Sequence, residues 1–439
     1  MTESLWPDPD QPNPPTPERA AEAAPRYETP NRTQFELYPC DLDGLLPSGH
    51  AARLVWEFVE RLDLTTFYAG IKAREGHAGR PPIDPKLLLA LWLYATIDGV
   101  GSAREVDRLC GAHDAYRWLR GGVSVSYHTL SDFRIQHQSD LDALVTQSIA
   151  ALLHRGIVTV ARVAQDGTRV RASAGGGSFR RGPTLEDCLR TARKQVERTQ
   201  RQADAPPPSA SQAAQARAAR ERLVRIEEAV AVLPAIAAVK VRRGNKKRAR
   251  EPRVSTTDPD ARVMKMASGG FRPAYNVHFA TDVDGRAIVG VQVTNSGSDH
   301  GLLPPMLVEI RRRTGRQPAE YLADGGFMER EVITQVTADG LTIYGPTPKA
   351  RPPRDPAAPL RGDSPAVAAW RVRMQTPEAK DIYKDRAATA EWVNADARAH
   401  RTLAQVAVRG LTKVHTWALW AALAHNMLRL TGIVPHLMT

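Results

Sequence analysis

The chain has 439 residues with 60 Lys and Arg against 48 Asp and Glu, a formal net charge of +12. At 42% hydrophobic and 25% charged residues it reads as a folded chain of two or three domains, which excludes a disordered protein. Three well-separated cysteines, Cys40, Cys110 and Cys188, exclude a disulfide framework or a cysteine zinc cluster and fit a reducing compartment. The excess of base points to a polyanionic partner.

Residues 1–40 are rich in Pro, Glu and Ala and read as a disordered tail without the basic start and apolar core of a signal peptide. Residues 41–155 read as a helical domain. Leu54, Val55, Phe58, Val59 and Leu62 recur at helical spacing. "DPKLLLALWLYATI" begins with an Asp84 cap and Pro85 at the first helical position. Its apolar run, 87–97, is too short to span a bilayer. "SAREVDRLCG" places Ser102 and Glu105 for a capping box, with Gly111 as a stop. One helix is expected over 127–153, and residues 102–137 read either as a helix-turn-helix for a major groove or as part of a plain packed helical bundle.

From Gly156 the texture becomes β-branched. "IVTVARVAQDGTRVRAS" predicts a strand carrying Asp166. An interruption follows over about 175–270. Its two helices meet along Leu223, Ile226, Val230 and Leu233 as a hairpin, and "KVRRGNKKRAREPR" adds eight Lys or Arg against one Glu. "AYNVHFATDVDGRAIVGVQVT" predicts two strands turning at Asp284-Gly285. A helix over 300–313 leads to "AEYLADGGFMERE", where Asp324 ends a short apolar strand and two glycines follow. "LTIYGPTP" predicts another strand, and helices run from 377 to the end.

A carboxylate at a strand end is costly to desolvate unless something pairs with it. Asp166 and Asp324 each stand before Gly, where Asp most often serves a turn. Read together, two acid-bearing strands joined through a hairpin and a crossover helix, with a third acid from a later helix, match the layout of ribonuclease-H-like nucleases. Such acids suit hard divalent cations, which prefer carboxylate oxygen and need no His or Cys. Two cations can activate water and stabilise both oxygens of a phosphodiester displacement. The glycines after Asp324 would leave room for a cation or a DNA backbone.

The segments "QDGTRVRAS", "IVGVQVTNSGSDHGLLPPML", "YLADGGF" and "YKDRAATAEWVNADARAHR", in that order, resemble the DDE transposases of bacterial insertion sequences. The stretch from "GHAARLVWEFVERLDL" through "SYHTLSDFR" looks like the helical domain preceding catalysis in that family. The resemblance implies an α+β chain. A helical, DNA-binding N-terminal domain would precede a ribonuclease-H-like mixed sheet flanked by helices over 156–439, with the helical-hairpin insertion after its first strand.

The resemblance makes Asp166, Asp324 and Glu391 the catalytic, metal-holding acids. Tyr383, Arg386 and Arg398 then complete the Tyr-Arg-Glu-basic signature as phosphate contacts. Apart from the resemblance, the basic run offers Arg242, Arg243, Lys246, Lys247 and Arg248 as non-specific DNA phosphate contacts, with a solvated loop as the alternative. Four residues separate Arg386 from Glu391 where three is commoner, and Arg398 stands where Lys is typical. Glu378 and Asp396 are rivals for the third acid, while Asp282, Asp284 and Asp299 are assigned to a hairpin and a helix start. The resemblance further implies two Mg²⁺ ions, with Mn²⁺ able to substitute. Its partners are double-stranded DNA at the element's inverted repeats and at the target, and a homodimer or higher synaptic assembly, with no membrane. The expected location is the bacterial cytoplasm, at the nucleoid. A metal-dependent nuclease or resolvase, and a transposase-derived regulator without catalysis, remain the alternative readings.

Overall fold

The computed structural model describes residues 33, 41–73, 81–203, 209–242, 244, 251–348 and 355–432. The expected 1–40 tail, apart from residue 33, lies outside them, as do Arg243, Lys246, Lys247 and Arg248.

Among the described residues, seven α-helices precede the sheet: α1 Ala51–Glu60, α2 Thr65–Ala69, α3 Pro85–Ile97, α4 Ala103–Ala112, α5 Asp114–Arg120, α6 Tyr127–Gln136 and α7 Gln138–His154. Their starts follow local chemistry. Asp84 accepts the Lys86 N–H at 2.9 Å, with Pro85 at the first position of α3. Ser102 accepts the Glu105 N–H, but the Glu105 carboxylate turns to Arg108 at 2.6 Å, so only half of the capping box forms. Helix α3 is apolar on all sides and is buried from Leu87 to Ile97. The single helix expected over 127–153 is two, broken at His137, whose imidazole binds Asp140.

The main sheet holds β1 Arg162–Arg171, β4 Arg262–Lys265, β5 Phe271–Asp282, β6 Ile288–Thr294, β7 Glu320–Ala323 and β8 Thr342–Tyr344. β1 and β5 are antiparallel neighbours, and β4 and β6 pair with the other edge of β5. β7 runs parallel to β1, and β8 parallel to β7. The turn at Asp284-Gly285 forms as expected. Asp282 accepts the N–H of Val160 and of Gly285, both at 2.8 Å, and Asp284 accepts the Thr159 hydroxyl.

Between β1 and β4, helices α8 Gly182–Ala203 and α9 Ala210–Arg242 form the expected hairpin. It stands on a small ribbon, β2 Phe179–Arg181 paired with β3 Arg253–Ser255. Leu185, Ala229 and Val254 make its own apolar core, with Val230, Leu233 and Ile236 against them. After the sheet hairpin come α10 Leu303–Thr314, α11 Arg330–Ala338, α12 Pro365–Arg373, α13 Pro377–Arg386, α14 Trp392–His400 and α15 Leu411–Thr431. The C-terminal region is not helical throughout: between α14 and α15 the chain lies along β1 through an Arg171 to Gln405 bridge.

Helix α15 is buried from Trp417 to Leu428 and packs on α7, α3 and β6, so the N-terminal helices and the sheet share one hydrophobic core. Trp417 and Trp420 are core residues. Arg134 of α6 is buried between Trp92 and Trp417, 4.3 and 3.9 Å from the ring centres, and donates to the Gly101 carbonyl at 2.5 Å. No helix among the described residues is long and apolar enough to cross a membrane.

Candidate active site

The parallel register of β1 and β7 pairs Ala164 with Leu322 and Gln165 with Ala323. Asp166 comes next within β1, and Asp324 follows directly after the end of β7. Tyr321 and Gln165 lock that register from within the core, hydroxyl to amide oxygen at 2.8 Å. Acids 158 residues apart in sequence thus leave neighbouring strands at one level.

The third candidate comes from the segment joining α13 to α14. Residues Ala387–Glu391 form a π-helical turn, one residue wider than an α-helical one. Glu391 is exposed and pairs with Arg386 at 2.5 Å, while the same guanidinium lies 3.6 Å from Asp166. Tyr383 lies beneath it, ring centre 5.6 Å from the guanidinium carbon. Asp166, Arg386, Glu391 and Tyr383 are therefore one cluster. Arg398 is exposed on the next turns of α14, with no partner among the described residues. Arg242 is exposed at the end of α9 on the separate hairpin.

The rivals stand elsewhere. Glu378 is exposed in the first turn of α13. Asp396 faces Arg401 at 3.1 Å and His425 at 3.7 Å, which hold it below its ordinary value despite burial.

Asp166 has a different electrostatic setting. Burial pushes its carboxyl up to about 6, against Arg386, the Gly167 N–H and Asn394, with Asp324 adding to the rise. Its protein partners thus leave the negative charge under-compensated, which is the condition a bound cation relieves. Asn394, three residues beyond Glu391, donates to Asp166 Oδ2 at 3.1 Å. Sequence reading passed over it, although helical spacing from Glu391 puts it on the same side.

Asp324 accepts the Gly326 N–H at 2.8 Å and so caps its own turn, Gly325–Phe327. A Cβ on Gly326 would stand 3.0 Å from Asp324 Oδ1 and 3.2 Å from Asp299 Oδ2. The room left by that glycine is thus faced by two carboxylates. Gly167 is bare for a related reason: a Cβ there would lie 2.5 Å from His278 Cε1. Asp299 does not cap the following helix, whose N-cap is Leu302 without a side-chain bond.

The donors on hand are carboxylates and one amide, oxygen ligands suited to a hard divalent cation. In this arrangement no three His, Cys, Asp or Glu side chains among the described residues converge on one ion position. Arg386 supplies the positive charge between Asp166 and Glu391.

Comparison with known families places this cluster in context. The model described as Transposase domain (DUF772) matches residues 40–136, covering helices α1 to α6. The model described as Transposase DDE domain matches residues 361–431, from α12 to the end of α15, including Tyr383, Arg386, Glu391 and Arg398. No curated protein and no solved structure matches the chain. A helical transposase domain followed by a DDE domain defines a transposase. The two matches together support an insertion-sequence DDE transposase.

Proposed function

We propose that this transposase cuts double-stranded DNA at the ends of its element and joins the freed ends to target DNA, within a ribonuclease-H-like catalytic domain spanning 156–439. The observation that carries this reading is the β1–β7 register, from which Asp166 and Asp324 emerge together beside the Arg386–Glu391 pair. The strand order β6-β5-β1-β7-β8, three antiparallel strands followed by two parallel ones, supports the fold assignment.

Asp166, Asp324 and Glu391 would hold Mg²⁺, in two ions, with Mn²⁺ as a substitute. Bound there, divalent cations supply a water of lowered pKa and charge stabilisation for the attacking and leaving oxygens. The rest falls to the chain. Asn394 fixes the Asp166 carboxylate. Arg386, released from Glu391, and the exposed Arg398 would grip phosphates next to the scissile bond. In the first step water attacks phosphorus and the bond to the 3′ oxygen breaks, leaving a 3′-hydroxyl on the element. In the second, that hydroxyl attacks a target phosphodiester and displaces the target's own 3′ oxygen. One bond replaces another, so no external energy source is needed.

The N-terminal helices of 41–155 and the basic α8–α9 insertion are assigned to DNA, and a homodimer or larger assembly to pairing two ends. Labelled duplexes carrying the element's flanking sequences, incubated with a supercoiled plasmid, test the reading. Joined product with Mg²⁺ and none with EDTA is expected. Cutting without joining would assign a nuclease, and binding without cutting a regulator.

A further inference from the structure

Asp299 lies between β6 and α10 with its side chain turned inward and only 13% exposed. Oδ1 accepts from Asn276 Nδ2 at 2.8 Å and stands 3.5 Å from His278 Nε2. Oδ2 is 3.8 Å from the Arg169 guanidinium, which already donates to the Gly297 carbonyl at 3.0 Å. Across Gly326, the same carboxylate faces Asp324. Two carboxylates therefore converge on one glycine, and the nearest cation makes no close bond to either. Two like charges held in that way disfavour each other unless a positive charge joins them.

His278 gives independent evidence that a group belongs here. It is fully buried, and neither ring nitrogen has a hydrogen-bond partner. Its Nε2 points toward Asp299, while Nδ1 lies over Gly167, the residue after Asp166. A buried polar side chain without a partner is rare. It sits here between the two acid-bearing segments.

We propose that Asp299 is a fourth carboxylate of the site and shares a divalent cation with Asp324. This rests on the reading of Asp324 as a cation ligand and adds a residue outside the three-acid set. Asn276, which donates to Oδ1, orients Asp299 as outer partners orient metal ligands elsewhere. Gly326 keeps the space between the two carboxylates clear.

Binding of Mn²⁺ to the metal-free full-length chain, followed by the electron paramagnetic resonance of free Mn²⁺, tests this without catalysis. Asp299→Asn is expected to weaken Mn²⁺ binding about tenfold or more, as Asp324→Asn does, with the far-ultraviolet circular dichroism of wild type. Wild-type affinity in Asp299→Asn alongside loss in Asp324→Asn would overturn the proposal and leave the transposase reading intact. Unchanged affinity in both would overturn the assignment of Asp324 as well. Should Asp299→Asn fail to fold, Gly326→Ala decides. It removes no charge but places a methyl between the carboxylates, so unchanged Mn²⁺ affinity there would refute the shared site.

Discussion

Arg386 and Glu391 are five residues apart and in contact at 2.5 Å. In a regular α-helix, at 3.6 residues per turn, residues five apart point about 140° away from each other. The π turn over Ala387–Glu391 removes that divergence by taking one extra residue into a single wider turn. The residue that makes this gap longer than the commoner family spacing is thus absorbed without turning Glu391 away from Arg386. Downstream, Val393, Asn394 and Ala397 remain buried.

Deleting Ala388, which is exposed, should convert the π turn into an ordinary α-helical one. Arg386 and the glutamate would then be four apart, still on one face. Thermal unfolding is expected to change by less than about 1 kcal/mol, with DNA cleavage retained. A loss of about 3 kcal/mol or more would mean that the wide turn is itself required.

Asp166 makes a prediction about pH. Its ordinary value is 3.8, and burial raises the folded value to about 6. The folded state therefore holds the proton more tightly than the unfolded one. This group's contribution to stability is full below about pH 4 and is lost as pH rises through about 6. Urea unfolding of metal-free protein should show wild type losing about 2–3 kcal/mol relative to Asp166→Asn across that window, at 1.36 kcal/mol per pKa unit. A flat difference, or one of opposite sign, would show that burial does not govern this carboxylate.

Arg162 ties the signature helix to the sheet. It binds Glu320 of β7 at 2.6 Å and Asp385, the residue before Arg386, at 2.7 Å. Arg162→Met should loosen α13 over β1 at a cost of about 1 kcal/mol, since the ion pairs are partly exposed. Cleavage should fall roughly tenfold, matching a small misplacement of Arg386, while duplex binding stays as in wild type. Equal loss of binding and cleavage would point instead to a DNA contact.

Arg134, between Trp92 and Trp417, joins the N-terminal helices to α15. Arg134→Ala should destabilise the protein by about 3 kcal/mol, because it leaves a cavity and frees the Gly101 carbonyl. A change below about 1 kcal/mol in chemical unfolding would show that the rings close over the gap.

Much of the candidate site was legible in the sequence because strand-end acids carry a local signal. Asp166 and Asp324 each follow an apolar β run, and the sheet then sets them at one level. Asn394 was not singled out, and Asp299 was assigned to a helix start rather than to the site. One is an ordinary helix residue, and the other follows a loop whose direction no local pattern fixes. The assignment of Asp299 to a helix start failed because α10 begins four residues later, at Leu303, with no side-chain cap. The break at His137 and the extended stretch after α14 are tertiary outcomes, the latter set by pairing of Gln405 with β1.

The central claim is that Asp166, Asp324 and Glu391 act as one catalytic set. The most direct measurement is the single-turnover cleavage rate on a labelled element end, with Mg²⁺, for Asp166→Asn, Asp324→Asn and Glu391→Gln, beside each variant's duplex affinity. Every variant should cut roughly 10³-fold more slowly or worse, as when a charge-stabilising group is lost, and bind DNA as wild type does. Any of the three cutting near the wild-type rate would remove that residue from the set and contradict the account.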